Sequence, residues 1–449
     1  MKKNWFKVMQ LTVVASMVLS IAACGSSKSA EPAASTETKA TPEATTEASK
    51  EPNKVVTIKL WHQWASPSDG NTKPFRAVLD AWNKANPNIQ IVDEGIDGES
   101  YKTKIKTAVA ASEMPDVFYA WGAGFAKPFV EANAVLPLDD YLNDGTKDKV
   151  LNGALVNLTY NGKVYGLPAN LNLAPLYINK EIFDNNGVKI PTTFDELLAA
   201  VKAFRAKGIT PITVGEKDLW PGMYWYDILA LRSAGATASQ AALEKKASFD
   251  QPEFIDAASK LVELVNAKAF NDSMFAIGYP EMVADFTQGK AAMLFQGTWV
   301  GGSINDANSL VKGKIVAVPF PIITGGKGNV DEFFGGSVDA FFVSQNSKYK
   351  EEAVKVVKYI TENMSNQAYA AGASLPAWKV TGVDVSKIDP LTKQTVDMIK
   401  NAKSFTIWWD TFLEGKVGDQ HKNLVANLFY NKMKPEEFAK EMQKLNVAQ

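Results

Sequence analysis

The sequence predicts an α/β protein, because apolar residues follow two alternating periodicities over most of its 449 residues. From Asn53 onward, stretches with an apolar residue at every second position alternate with stretches in which apolar residues recur near every 3.6 positions. The first pattern is typical of strands and the second of amphipathic helices. Strands interleaved with helices in this way indicate an α/β architecture.

The first elements of the folded chain follow from this pattern in order. They are a strand over 55–60, a helix over 75–85, a strand over 89–92, a helix over 101–111 and a strand over 116–120. In the first helix, Phe75, Val78, Leu79 and Trp82 share one face, which we expect to be buried.

Later helix boundaries are marked by capping residues. Thr193 and Glu196, which follow Pro191, have the spacing of a capping box, and Ser347 precedes a second amphipathic run. Gly289 suits the left-handed conformation that ends a helix, so we expect a strand to begin soon after it, at Ala291.

The charge balance excludes several classes of function. Lys and Arg total 48 against 49 acidic residues, and the net charge of −1 comes without a basic stripe, which excludes nucleic-acid binding. Arginine occurs only at Arg76, Arg205 and Arg232, far apart in predicted helices. Because sites for carboxylates and phosphates usually recruit the guanidinium fork, this scarcity favours an uncharged ligand.

The chain has one Cys and two His, at His62 and His421. This excludes a disulfide scaffold and a zinc site of the usual Cys/His kind, so we expect no metal and no cofactor. We place His421 on a surface helix, and His62 has a structural alternative as a hydrogen-bonded residue of the fold.

The N-terminus has the pattern of a secretory signal. Lys2, Lys3 and Lys7 precede an uncharged stretch over 8–23, which is too short to span a bilayer and ends at Cys24. The run Ile21-Ala22-Ala23-Cys24 resembles the lipobox of bacterial lipoproteins, in which the Cys is diacylated and becomes the mature N-terminus. The alternative is a plain signal peptide with an incidental Cys.

Residues 25–52 contain only Gly, Ser, Lys, Ala, Glu, Pro and Thr. Since nothing larger than Ala and Pro is available to bury, this segment is predicted to be a disordered tether. We therefore divide the N-terminus into a signal peptide over 1–23 and a lipidated Cys with its tether over 24–52. The chain would then work lipid-anchored at the extracellular face of the cytoplasmic membrane, as in Gram-positive bacteria.

Several predicted strands end in aromatic and Gly-rich residues. Trp61-His62-Gln63-Trp64 follows the first strand, Trp121-Gly122 follows the third, and Gln296-Gly297-Thr298-Trp299 follows a later one. Open α/β sheets bind ligands at the carboxyl ends of their strands, so these residues indicate a site in a cleft between two lobes. For any single Trp, core packing is the alternative.

The chain resembles the extracellular solute-binding proteins of bacterial ABC importers, in particular those that bind sugars and oligosaccharides. The resemblance rests on the order and spacing of several motifs, followed by Gly335-Gly336. These motifs lie at 114–118 with Trp121, 161–168, 176–180, 191–197 and 286–293.

The resemblance implies a monomer with a two-lobed periplasmic-binding-protein-like fold, each lobe a mixed sheet flanked by helices. About three crossings form the hinge, near 170–175, 319–321 and 365–368. Lobe 1 would comprise 53–171 plus 320–365, and lobe 2 would comprise 172–319 plus 366–449. Such a protein captures its ligand between the lobes and delivers it to an ABC permease.

A sugar has a C–H face that stacks on aromatic rings and hydroxyls that pair with polar side chains and backbone amides. We therefore predict ligand contacts from aromatic, polar and glycine residues of both predicted lobes and of the first crossing between them. They are His62, Gln63, Trp64, Trp121, Asn170, Asn172, Trp225, Tyr226, Thr298, Trp299, Gly335, Gly336, Trp408, Trp409 and Asp410.

Three alternatives remain. A secreted glycoside hydrolase needs two carboxylates flanking the scissile bond, but Asp93-Glu94 and Asp139-Asp140 are adjacent acids that fit solvated surface charge better. A Trp cage could instead hold a quaternary amine through cation–π attraction. The third alternative is a peptide ligand.

Overall fold

The computed structural model describes residues 55–67 and 69–447. The predicted signal peptide over 1–23, the lipidation site Cys24 and the tether lie outside the described residues, so those assignments stay predictions. Within the described part of the chain, no helix combines the length and apolar content that a membrane crossing requires.

The fold consists of short strands and mostly longer helices in alternation. The strands are β1 Val56–His62, β2 Ile89–Gly95, β3 Val117–Trp121, β4 Thr159–Tyr160, β5 Lys163–Val164, β6 Gly166–Pro168, β7 Asn172–Leu173, β8 Leu176–Asn179, β9 Thr210–Ile212, β10 Ala291–Phe295, β11 Ile315–Val318, β12 Glu332–Gly336, β13 Asp339–Val343 and β14 Ser404–Thr406. The helices are α1 Thr72–Ala85, α2 Gly98–Ala111, α3 Ala123–Glu131, α4 Thr146–Lys149, α5 Lys180–Asn186, α6 Phe194–Ala206, α7 Trp220–Ala234, α8 Ala236–Leu243, α9 Pro252–Asn266, α10 Tyr279–Thr287, α11 Gly301–Ile304, α12 Lys350–Ala370, α13 Pro390–Lys400, α14 Trp409–Phe412, α15 Val417–Phe429 and α16 Pro435–Val447.

Two mixed sheets carry the architecture. In the first, the order is β2-β1-β3-β13-β6, with β1 parallel to both neighbours and β13 antiparallel to β3 and β6. In the second, the order is β11-β8-β10-β9, where β10 is antiparallel to β8 and parallel to β9. A small third sheet joins β14, β12 and β7. The predicted lobe boundaries remain a prediction, although each large sheet draws its strands from one predicted lobe.

The first five predicted elements are confirmed as β1, α1, β2, α2 and β3. The predicted face of α1 is buried, and α1 packs against α12. Several boundaries differ from the prediction by one to three residues, and β1 is one example, because it continues through Trp61 and His62 beyond its predicted end at residue 60. Parallel pairing with β2 extends as far as His62 opposite Gly95 and explains the longer strand.

The capping predictions differ in outcome. The capping box of Thr193 and Glu196 begins α6 as expected, and Gly289 has a φ of 72° just before β10. Ser347 does not cap a helix, because α12 begins only at Lys350. Its hydroxyl instead donates a hydrogen bond to Asp116 over 2.7 Å and accepts one from the Tyr349 N–H.

The prediction of a surface position for His421 is wrong. The imidazole is fully buried, and its Nε2 lies 2.8 Å from Oδ1 of Asp227. A ring of Trp409 stacks on it with centroids 5.5 Å apart. His421 thus belongs to the contact between α7 and α15.

Candidate ligand-binding site

A cavity of about 350 Å³ lies where the carboxyl ends of β1 and β3 face the first turns of α7. Its lining divides into two walls. The strand-end wall consists of Gln63, Trp64, Tyr119, Trp121 and Asp339. The helix wall consists of Trp220, Tyr224, Tyr279, Trp299 and Trp408.

The strand-end wall is connected by hydrogen bonds. Because β1 and β3 are parallel neighbours, their carboxyl ends meet at one sheet edge, and Gln63 donates to the Tyr119 hydroxyl over 2.9 Å. Tyr119 in turn donates to Asp339 on the antiparallel strand β13. The amide of Asn172 donates to the other oxygen of Asp339 over 2.8 Å. This wall therefore presents polar groups in fixed orientations.

Burial shifts the pKa of two carboxyl groups in the lining. Burial raises the pKa of Asp339, although hydrogen bonds from Tyr119 and Asn172 oppose the shift. Burial also raises the pKa of Asp69 to about 6, against opposing hydrogen bonds from Asn71. Both groups are acceptors for ligand hydroxyls when ionised.

The helix wall is a cluster of aromatic rings. Trp220 lies with its ring centroid 5.2 Å from that of Tyr224 and 5.1 Å from that of Tyr279. Tyr224 stacks on Trp408 at 4.8 Å and an angle of 13°, while Trp299 meets Trp408 edge-on. Tyr224 and Trp408 are almost fully buried, whereas Trp220 and Trp299 are half-buried. Tyr279 is half-buried as well, so Trp220, Tyr279 and Trp299 offer more accessible ring surface than Tyr224 and Trp408.

Acidic groups outnumber basic groups in the lining. The ammonium groups belong to Lys102 and Lys217, and the carboxyl groups belong to Asp69, Asp97, Glu99, Asp218, Glu281, Asp339 and Asp410. Lys102 is already paired, at 3.0 Å from Glu99 and 2.9 Å from Asp410. An anionic ligand would therefore be repelled by these carboxylates, and no guanidinium group is among the lining residues to offset the repulsion.

The charges at the Lys102 end of the cavity hold one another ionised. Burial alone would raise the pKa of Asp410, but Lys102 and Lys422 outweigh it and lower that pKa. Among the residues that the structure describes, no group of three or more His, Cys, Asp or Glu side chains is arranged to hold a metal ion.

Residues 66–367 match the family model of the bacterial extracellular solute-binding proteins, a stretch of more than half of the chain. The chain belongs to this family. A Multiple sugar-binding protein from Streptococcus mutans is 26% identical to this solute-binding protein over 357 residues, which cover 78% of this chain and 81% of that one.

Solved structures share the fold. One, from work on xylan utilization by the thermophilic bacterium Caldanaerobius polysaccharolyticus, is 49% identical, with a TM-score of 0.84 over 87% of this chain and 99% of that one. A Chitin oligosaccharide binding protein is 27% identical, with a TM-score of 0.80 over 88% of this chain and 98% of that one. The predicted two-lobed α/β fold and the predicted family are confirmed.

The structure brings many of the predicted contact residues together around the cavity of this solute-binding protein. Those in the lining are Gln63, Trp64, Trp121, Asn170, Asn172, Trp299, Trp408 and Asp410. Their contact with a ligand stays a prediction. Trp121 has less free surface than expected, because the ammonium group of Lys102 lies 5.0 Å from its ring centroid.

Two further predicted residues lie behind the lining. His62 is buried, with Nε2 3.0 Å from Asp93, and its Nδ1 accepts the N–H of Trp64 over 3.1 Å. The hydroxyl of Thr298 donates to Asn172 over 2.7 Å. Thr298 orients the side chain of Asn172, whereas His62 holds the backbone of Trp64, and neither residue is part of the cavity lining.

The structure places Trp225, Tyr226 and Trp409 in the core, away from the cavity. Trp225 packs against three Phe rings, and Tyr226 packs against Phe438 with ring centroids 4.5 Å apart. Successive residues of a helix point about 100° apart, so residues next to Tyr224 cannot share its direction. These three residues therefore drop out of the proposed contact set.

Gly335 and Gly336 also lie outside the lining. They belong to β12 and pair with β7, with φ values of 149° and 148°, which side chains rarely allow. A Cβ atom on Gly335 would collide with the backbone of Asn172 and Leu173. The two glycines thus allow close strand approach, and we remove them from the proposed contact set.

Sequence reasoning missed most of the helix wall. Trp220 and Tyr224 are four residues apart, which places them on one helix face, and this spacing was a usable signal. Tyr279 comes from the start of α10, and nothing local marks it as a cavity residue. Tyr119 and Asp339 were missed as well, because their roles depend on pairing between distant strands. Asp69 was also missed, and it lies in the loop between β1 and α1.

Proposed function

We propose that this solute-binding protein captures an uncharged oligosaccharide in the cavity and passes it to an ABC permease. The observation that carries this proposal is the pairing of an aromatic wall with a polar, hydrogen-bonded wall across one cavity. The structural neighbour from work on xylan utilization makes xylan-derived oligosaccharides the first candidates.

The energetics are sufficient for a useful affinity. Burying about 60 Å² of sugar C–H face against an indole contributes about 1.5 kcal/mol at roughly 25 cal/mol per Å². Trp220 and Trp299 each offer such a surface, and a hydrogen bond to a charged group adds about 1.5–3 kcal/mol. Two platforms and two such bonds approach the roughly 8 kcal/mol of a micromolar complex.

The positions of the two walls also suggest how ligand binding closes the lobes and makes the loaded protein recognisable to the permease. Gln63 and Trp121 belong to the predicted lobe 1, whereas Trp220 and Trp299 belong to the predicted lobe 2. A ligand that touches both walls gains all its contacts only when the lobes are closed, so it shifts the population toward the closed form. The permease would then recognise that form.

Tryptophan fluorescence tests the ligand class, because the helix wall is rich in Trp. The panel contains xylotriose, chitotriose, maltotriose and an oligosaccharide that bears a uronic acid. We expect saturable changes with at least one neutral sugar and none with the acidic one. No response to any sugar, together with no thermal shift, would exclude the proposal.

A quaternary amine is the second candidate, because acidic groups surround the aromatic wall and would favour a cation. Competition by betaine or choline against the neutral sugars distinguishes the two.

Catalysis has less support than binding. The relative from Streptococcus mutans is a sugar-binding protein, and Asp93, one of the acids considered for a glycoside hydrolase, is already held by Arg76 and His62.

The membrane anchor is a separate part of the proposal. The family is extracellular, and we propose that Cys24 carries a lipid that holds the protein at the outer face of the cytoplasmic membrane. Growth with a labelled fatty acid should label the wild-type chain and not Cys24→Ala. An unlabelled wild-type chain would contradict the anchor and leave the sugar proposal intact.

A further inference from the structure

The segment between Gly215 and Gly222, which we call the Glu216 turn, forms part of the helix wall. It contributes Lys217, Asp218 and Trp220 to the cavity lining. Backbone hydrogen bonds fix the first half of the turn. The Glu216 N–H donates to the Met274 carbonyl over 2.8 Å, and the Lys217 N–H donates to the Ile277 carbonyl over 3.1 Å. The turn then leads directly into α7, which begins at Trp220.

Glu216 is an unusual residue in this turn, because its side chain points away from solvent and from the cavity. It is only 2% exposed, and neither carboxyl oxygen has a partner of good hydrogen-bond geometry among the described residues. Burial raises its pKa well above the ordinary value, and the opposing effect of the Gly222 N–H is smaller. A buried polar group of this kind lowers the stability of the fold, so its position calls for a physical explanation.

Gly222 provides the space for this carboxyl group. A Cβ atom at position 222 would collide with Oε2 of Glu216, within the first turn of α7. The side chain of Glu216 therefore fills the space that a side chain at 222 would take. The carboxyl group and the helix start are packed as one unit.

The same turn contains backbone strain immediately before Trp220. Leu219 has a φ of 63° and a ψ of −42°, a conformation that non-glycine residues rarely adopt. Strain of this kind persists only where surrounding contacts hold it in place. The contacts that hold it include the hydrogen bonds to 274–277, the Leu219 N–H donating to the Glu216 carbonyl over 3.1 Å, the Tyr279 N–H donating to the Asp218 carboxylate over 2.7 Å, and the packing of the buried Glu216 side chain against Gly222.

We propose that Glu216 is a positioning residue, whose buried carboxyl group fixes the strained turn that presents Trp220 to the ligand. The inference rests on the proposed oligosaccharide function and assigns a residue that contacts no ligand itself. The side chain acts by shape and packing.

Substitutions at 216 and 222 test the role of packing. Glu216→Gln keeps the shape, so we expect xylotriose affinity within about twofold of wild type. Glu216→Ala and Gly222→Ala should each weaken binding by about tenfold, the loss expected when one indole platform is misplaced. In Glu216→Ala/Gly222→Ala, the new methyl group occupies the vacated space, so affinity should recover relative to Gly222→Ala.

A double-mutant cycle with Trp220→Ala separates this role from general destabilisation. If Glu216 acts through Trp220, Glu216→Ala should cost little further affinity in the Trp220→Ala background. Additive losses would overturn the proposal. The matched control is Asp227→Asn, a buried acid two turns further along α7 that is not part of the cavity lining, which should lower the melting temperature and leave affinity unchanged.

The probe is xylotriose, or chitotriose or maltotriose if either binds more tightly to the wild-type protein. Binding to wild type with equal affinity in Glu216→Ala overturns the positioning role alone. No binding of any of the three sugars to wild type overturns the proposed function, and the positioning role falls with it.

Discussion

The two walls of the cavity differ in how they are built. The strand-end wall takes its place from sheet topology, since β1 and β3 are parallel neighbours and their carboxyl ends meet at one edge. The position of the helix wall depends on how α7 is rotated about its axis. In the observed orientation, Trp220 and Tyr224 face the cavity and Trp225 faces the core. A strand end indicates a site directly, whereas a helix requires knowing which face is buried.

The walls also differ in chemistry. Gln63, Tyr119, Asp339 and Asn172 form one chain of hydrogen bonds, so the polar wall is organised before a ligand arrives. The helix wall offers ring surfaces whose value depends on orientation. We therefore expect the polar wall to determine which hydroxyls are accepted and the aromatic wall to contribute stacking.

The largest expected effect separates the two faces of α7. Trp225→Ala should lower the free energy of unfolding by about 3–5 kcal/mol, because it leaves a cavity in the core, with little change in sugar affinity. Trp220→Ala should do the reverse, weakening binding about tenfold with a small stability loss. Urea unfolding and calorimetric titration measure both. A Trp225→Ala protein that is stable but cannot bind would contradict this division.

The next largest effect concerns the polar wall. Asp339→Asn replaces one of the two carboxylate oxygens, which accept from Tyr119 and Asn172, by an NH2 group that cannot accept, so we expect a loss of affinity of about 10- to 100-fold. The control is Asp397→Asn, an exposed acid of α13, which should bind as wild type does. Equal affinity of the Asp339→Asn and wild-type proteins would remove Asp339 from the site.

A smaller effect is the pH dependence at Asp69. Its pKa is raised by burial to about 6 in the folded protein, above the ordinary value of 3.8. The folded state therefore holds this proton more tightly, and the stabilisation by protonation is lost as pH rises through 6. Asp69→Asn should raise the melting temperature at pH 7.5 and have a smaller effect at pH 5. An increase that is the same at both pH values would show that Asp69 does not titrate in this range.

The contrast between strand ends and helix faces also explains which parts of the fold and of the cavity lining could be predicted from the sequence. The order of β1, α1, β2, α2 and β3 was predictable because each element carries its own apolar period. Gln63, Trp64 and Trp121 were predictable as lining residues because they follow strands. Trp225 and Tyr226 were chosen on composition, and the packing of α7 against α9 and α15 turns them inward.

Other features depend on contacts that no local pattern records. His421 appeared to be an ordinary helix residue, yet it pairs with Asp227, which lies far away in sequence. Gly335 and Gly336 suggested backbone contact with a ligand, but the neighbour that approaches them is β7. Asp339 became a candidate only when β13 was found beside β3.

The most direct test of the central claim is a crystal structure of the protein with xylotriose or the tightest-binding sugar of the panel. We predict a sugar ring against Trp220 or Trp299 and a hydroxyl within hydrogen-bond distance of Asp339. A sugar that touches only one wall, or that lies outside the cavity, would contradict the claim that the two walls bind one ligand together.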